Sequence, residues 1–283
     1  MMVRRNVTRL LALAALAAVA AAALVVVLGS GSGGRGGGAA GESKRGRAAG
    51  SAPAASATSS AAPEVRPRPD WRPYSGPVPI FRYHAVGEFE PGERFPELFV
   101  EPDDFERQLD WLEAHGYEAV GLQAVEQAWF KGGSLPRRPV VLSFDGVRGE
   151  LASTVAPALR RRGWPGVLVL DAEARLGHRD VVEGLLAAGW EVEAEGADVA
   201  GARRTLETEL GAPVANFSYP QGVSAEATTA AVEAAGYEGA TVVGPGFATS
   251  TDRYEMPRIT VFGLSRVDGF AEAMRSRGEG VGA

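Results

Sequence analysis

Five short β-prone runs in this chain lead into residues able to do chemistry. His84 follows Val78–Tyr83, Asp145 follows Val140–Phe144, and Asp171 follows Val167–Leu170. Glu195 follows the run Glu191–Ala194, and Val214–Phe217 leads into Tyr219-Pro220-Gln221-Gly222. One imidazole and several carboxyl groups converging on one rim support general acid/base chemistry, which needs side chains that hold and release protons near neutral pH. Polar residues after strands also cap the helices that follow, and for Asp171 and Glu195 the two roles stay open. His84 and Asp145 emerge directly from hydrophobic strands and form the candidate catalytic pair.

A shared rim requires strands that run in parallel, and the chain supplies the punctuation for that. A glycine followed by an aromatic residue recurs at Gly116-Tyr117, Gly163-Trp164, Gly189-Trp190 and Gly236-Tyr237. Glycine takes the left-handed position that closes a helix, and the aromatic packs back on the last turn. Ahead of the first stop, Phe105, Leu109 and Leu112 fall at helical spacing after Pro102, a residue suited to a first turn. Helices alternating with buried strands imply a parallel sheet. At least six such units fit between Val78 and Arg275, which predicts an α/β fold closed into a distorted (β/α) barrel rather than an open sheet. In such a barrel the loops after the strands form the active face. No G-x-G-x-x-G follows the first strand, which counts against dinucleotide binding.

The N-terminus predicts where the chain works. Arg4, Arg5 and Arg9 precede an uncharged apolar run, Leu10 to Leu28. At 1.5 Å per residue it spans roughly 28 Å, close to the bilayer's hydrocarbon thickness. Residues 1–30 therefore read as a signal-anchor that leaves the rest outside a cell membrane, with cleavage near Ala20–Ala23 and secretion as the alternative. Residues 31–75 are rich in Gly, Ala, Ser and Pro and read as a flexible tether. Residues 76–275 form the folded domain. A net charge of −6 argues against a nucleic-acid partner. The absence of cysteine removes disulfides, thiolate metal sites and a cysteine nucleophile.

The chain resembles the polysaccharide deacetylases, the NodB-homology family, from about Pro77 to Thr260. Pro79-Ile80-Phe81-Arg82-Tyr83-His84 is similar to that family's opening strand, often ending Met-Tyr-His, and Val100 to Leu122 resembles the segment after it. Pro136 to Gly146 is similar to the segment carrying Thr-Phe-Asp-Asp-Gly, and Phe217-Ser218-Tyr219-Pro220-Gln221-Gly222 to Phe-Ala-Tyr-Pro-Tyr-Gly. Ala234-Ala235-Gly236-Tyr237 and Pro257-Arg258-Ile259 complete the series. The resemblance implies a distorted (β/α) barrel of the NodB/polysaccharide deacetylase type. It implies Asp145 in the position of the catalytic base, His84 bordering the site, and Tyr219, Pro220 and Gly222 along a substrate groove. The partner it implies is a cell-wall or extracellular N-acetylated polysaccharide.

The same resemblance implies a divalent metal, and here the chain departs from the pattern. Gly146 stands where the second acid of the family, a metal ligand, is expected, and Glu195 and Val199 fall on the two histidine positions. His115 and His178 lie elsewhere, at a helix end and in a loop. Glycine and valine offer no donor, so no cofactor is expected. A divalent ion such as zinc would need a non-standard site, for which Asp145, Glu195 and Asp198 are the available carboxylates. The expected function is a polysaccharide deacetylase-like envelope protein with lost or reduced deacetylation and a retained glycan groove. An active hydrolase of N-acetyl amide bonds, centred on Asp145 and His84, and a non-catalytic structural or partner-binding envelope protein are the alternatives.

Overall fold

The computed structural model describes residues 68–89, 91–174 and 177–278. Seven parallel strands form the barrel. In chain order they are β1 (Ile80–Tyr83), β2 (Pro139–Asp145), β3 (Val167–Asp171), β4 (Glu191–Glu195), β5 (Asn216–Ser218), β6 (Gly239–Val243) and β7 (Met256–Thr260). Each pairs with the next, and β1 closes the ring by pairing with both β2 and β7. The distorted (β/α) barrel expected from the sequence is the observed fold.

Around it run α1 (Pro102–Ala114), α2 (Leu122–Lys131), α3 (Ala156–Arg162), α4 (Arg179–Ala187), α5 (Val199–Leu210), α6 (Glu226–Ala234) and α7 (Arg266–Gly278). The four glycine–aromatic stops work as read. Gly116, Gly163, Gly189 and Gly236 have φ of 72°, 67°, 87° and 77°. In each case the aromatic N–H donates back across the helix end, for example Trp164 to the Leu159 carbonyl at 3.0 Å and Trp190 to that of Leu185 at 3.0 Å. These bonds satisfy carbonyls that would otherwise be orphaned, and they aim the chain into the next strand.

Strand alternation sorts the side chains into two environments. Phe81, Tyr83, Leu142, Phe144, Leu168, Leu170, Val192 and Ala194 face outward into the layer shared with Phe105, Leu109, Leu112 and Leu159 of the helices. The inward residues differ along the barrel axis. At the N-terminal end Ile80, Val141, Val167 and Met256 pack against Leu122, Val125 and Leu135, so α2 plugs this end. Above that floor the interior is polar.

The folded region reaches back to Arg68. Arg72–Pro73 pairs antiparallel with Ser134–Leu135, and Trp71 Nε1 donates to Glu118 at 3.4 Å. The apolar run Leu10–Leu28 and residues 31–67 of the expected tether lie outside the described residues. Among the described residues no helix is long and apolar enough to cross a membrane.

Candidate functional site

The polar interior is organised by Asp145, the last residue of β2. Two residues before it on the same face is Ser143; beside it stands Arg82 of the neighbouring strand β1, and one strand further round Arg258 of β7. Arg82 Nη2 pairs with Asp145 Oδ2. Arg258 Nη1 donates to Asp145 Oδ1 at 3.1 Å, and Arg258 Nη2 donates to Ser218 Oγ at 2.8 Å. Ser143 Oγ in turn donates to the Phe81 carbonyl at 2.8 Å. Arg258 is only 2% exposed, a cation that burial tolerates only because the carboxylate and the hydroxyls meet it. His84 Nδ1 lies 3.4 Å from Asp145 Oδ2, and its ring meets the edge of Phe99. The structure thus brings His84 and Asp145 together.

The electrostatics divide the carboxyl groups. Burial by itself would raise Asp145. The hydrogen bond with His84 and the charges of Arg258 and Arg82 outweigh it and hold this carboxyl well below the usual range. Glu193 and Glu195, on the inward face of β4, go the other way. Burial, together with Asp145 nearby, pushes each up to about 7, with Arg258 opposing the rise. Glu193 Oε1 accepts from Thr241 Oγ1 at 3.0 Å, while its buried Oε2 has no protein partner. Nearer the floor, burial raises Glu191 to about 7 and Glu126 to about 8. Glu126 accepts from Asn216 Nδ2 at 2.6 Å, and Glu191 from the Gln123 N–H at 3.1 Å at the start of α2.

The remaining expected site residues are placed differently. The Tyr219 ring is fully buried, and its hydroxyl donates to Thr229 Oγ1 at 3.1 Å. Tyr219 is an odd-numbered neighbour of Phe217 on the outward face, so its ring packs against the helices and does not line a groove. Pro220 and Gly222 form the turn after β5, which leans on Val243; Gly222 has φ of 70° and no room for a Cβ there. Asp198 caps α5 by accepting the Gly201 N–H at 2.9 Å, and Asp171 accepts that of Glu173 at 2.9 Å. His115 stacks on Trp111 with ring centroids 3.9 Å apart, and His178 is exposed at the start of α4.

Arg82, Arg258 and Glu193 were not among the residues expected from the sequence. The signal for Glu193 was present, since Glu191-Val192-Glu193-Ala194-Glu195 alternates with the period of a strand. In most half-buried strands the charged face of such a pattern meets water. Here it faces the barrel interior.

Comparison with solved structures establishes the architecture. A Streptococcus pyogenes deacetylase, PplD, in complex with acetate superposes with a TM-score of 0.63 at 17% identity, covering 71% of this chain and 99% of that one. IcaB from Ammonifex degensii gives 0.57 at 17%, over 70% and 97%. This is the polysaccharide deacetylase fold. A polysaccharide deacetylase from Bacillus cereus shares it with a TM-score of 0.59 at 20% identity, over 71% of this chain and 69% of that one. Among curated proteins, 95 residues are 32% identical to the poly-beta-1,6-N-acetyl-D-glucosamine N-deacetylase of Escherichia coli (strain K12). That match spans 34% of this chain and 14% of the relative's length. No family model matches the sequence.

A divalent ion does not fit the residues that this deacetylase fold presents at the barrel mouth. Both oxygens of Asp145 are engaged by guanidinium groups, which repel a cation and occupy the lone pairs it would need. Gly146 has no donor side chain, Val199 is buried among hydrophobic residues at the start of α5, and Asp198 is spent on its cap. Among the described residues no three His, Asp or Glu side chains form a set able to hold a metal.

Proposed function

We propose that this chain is an envelope protein that uses the deacetylase barrel to bind N-acetylated polysaccharide and has lost or reduced metal-dependent deacetylation. One observation carries the reading: Asp145, the carboxylate at the centre of the barrel mouth, is neutralised by Arg82 and Arg258. A carboxylate held ionised so far below neutral pH is a poor proton acceptor. A metal in such a site would polarise an amide carbonyl and supply a hydroxide, and the donor set here gives it no purchase. In this reading the apolar run Leu10–Leu28 holds the protein at the membrane with the barrel outside, or is removed and the protein is secreted.

The test measures metal and acetate together. The full-length protein is incubated with zinc, cobalt and nickel, freed of excess ion, and assayed for bound metal. Acetate release from N-acetylglucosamine oligomers and peptidoglycan is compared with that of Asp145→Ala. We expect no tightly held equivalent and no acetate above the variant. One bound equivalent with acetate release sinks the reading.

A second reading, an amide hydrolase that works without a metal, draws on the opposed carboxyl groups. Asp145 is held low while Glu195 sits near 7, the separation that marks an acid/base pair. Acetate release by metal-free protein, abolished in Glu195→Gln, would favour it over the first.

A further inference from the structure

Away from the Asp145 cluster, six large apolar side chains stand exposed among the described residues: Phe89, Phe95, Val223, Val243, Phe262 and Leu264. Val243 closes β6, and the others lie on the segments that follow β1, β5 and β7. These four strands are consecutive around the barrel, in the order β5, β6, β7, β1. All the exposed large apolar residues among the described ones therefore fall on one arc of the mouth. Next to His84 the arc is continuous, because Gly263–Ser265 packs on Pro96–Leu98 and Phe99–Val100, and the Phe89 and Phe99 rings lie 6.5 Å apart. An apolar arc of this kind, concentrated at the working face of a barrel, marks a binding surface.

The opposite arc is acidic. Asp171 and Glu195 are register partners at the ends of β3 and β4. No hydrogen bond or ion pair from a described residue reaches the Glu195 carboxyl, and nothing but burial and neighbouring acids raises it. One layer below on the same face, Glu193 is 1% exposed with Oε2 unpartnered. The nearest cations, Arg82 and Arg258, are deeper and committed to Asp145. Glu195 is a carboxyl group short of a counter-charge, at the edge of a surface suited to the carbon faces of sugar rings.

We propose that the barrel mouth binds a hexosamine polysaccharide at its de-N-acetylated residues, the apolar arc taking the ring faces and Glu195 taking the free ammonium group. The proposal rests on the glycan-binding reading above and narrows it from the acetylated polymer to its amine-bearing units. An acetamide carries no charge, so seating one against Glu195 would desolvate the carboxylate without compensation. An ammonium group supplies charge-assisted hydrogen bonds instead.

The experiment compares glucosamine and N-acetylglucosamine oligomers of equal length by calorimetric titration of the full-length protein. We expect the amine oligomer to bind about 10-fold tighter at low salt, with the preference shrinking as salt is raised. Glu195→Gln should remove the preference, bringing the affinity for the amine oligomer down to that for the acetylated one. Phe89→Ser combined with Leu264→Ser should weaken both oligomers alike. Equal binding of the two oligomers, or a preference that survives Glu195→Gln, overturns the inference but keeps the glycan-binding reading. Failure of both to bind wild-type protein refutes that reading itself. Self-association abolished by the double serine variant would assign the apolar arc to a second copy of the chain and overturn the inference as well.

Discussion

Replacing Asp145 with alanine separates a carboxylate poised for catalysis from one that holds the barrel together. Among the described residues the carboxylate is the only ion-pair partner of Arg258, which is 2% exposed and otherwise meets Ser218 Oγ at 2.8 Å and Ser143 Oγ at 3.5 Å. Removing one member of a buried pair strands the other, at a cost of about 3–5 kcal/mol. Glu193 lies close enough for Arg258 to pull its proton equilibrium down, so it would ionise in the variant and return part of that loss. We therefore expect about 3 kcal/mol, near the lower bound, which for a domain of this size is a fall in Tm of about 6–12 °C. Urea midpoints at pH 7 and thermal scans measure it. A residue kept for chemistry behaves otherwise, since active-site groups are commonly held at the expense of stability and their removal is neutral or stabilising.

The pH dependence of the same variant is a check with a fixed sign. Asp145 in the folded protein lies below its unfolded value of about 3.9, so its contribution is present above pH 4 and lost as pH falls through the folded value. The gap between wild type and Asp145→Ala should close in acid. Adding Arg258→Met to Asp145→Ala removes the fully buried cation as well and should recover part of the loss, while Arg82, which also pairs with Asp145, stays without its carboxylate. An alanine variant within about 0.5 kcal/mol of wild type at pH 7 would refute this account of Asp145.

The raised glutamates predict an acid-shifted stability optimum. Glu191, Glu193 and Glu195 near 7 and Glu126 near 8 keep protons that the unfolded chain releases at about 4.3, so stability falls as pH rises from about 4.3 toward 8. Urea midpoints should decline over that range and decline less in Glu193→Gln, which stays neutral; midpoints that rise toward pH 8 would contradict the burial argument. Tyr219→Phe should cost about 1 kcal/mol through the lost bond to Thr229 and leave glycan binding unchanged, because the ring faces the helices. Weakened oligomer binding by that variant would place the ring in the groove after all.

The fold was legible because its signals are local. Each glycine–aromatic stop fixes one helix end by backbone geometry, and each buried strand between stops has only one way to pair in a ring of parallel neighbours. The positions of His84, Asp145 and Glu195 follow from the same logic, since a residue at the end of a parallel strand must sit on the active face. What could not be read was the facing of side chains within the strands. Tyr219 and Ser218 are adjacent, yet one packs outward and the other meets Arg258, and only the register decides which. Arg82, flanked by Phe81 and Tyr83, reads as a charge interrupting a buried strand until its partner 63 residues later is known.

That partnership explains how a barrel of this type stays folded with such an interior. Asp145, Glu193 and Glu195 crowd one end of the barrel interior, and three negative charges there would repel one another at short range in a low dielectric. A bound divalent ion is one way to hold such a group of carboxyl groups, and the donors around Asp145 do not suit one. The chain meets the requirement by two other means at once. Two guanidinium groups neutralise Asp145, and burial keeps protons on Glu193 and Glu195 up to about pH 7. The arginines are covalently part of the strands, so unlike a metal they cannot exchange one oxygen ligand for another during a reaction. The same arrangement that neutralises Asp145 leaves Glu195, at the mouth, without an ion-pair partner among the described residues.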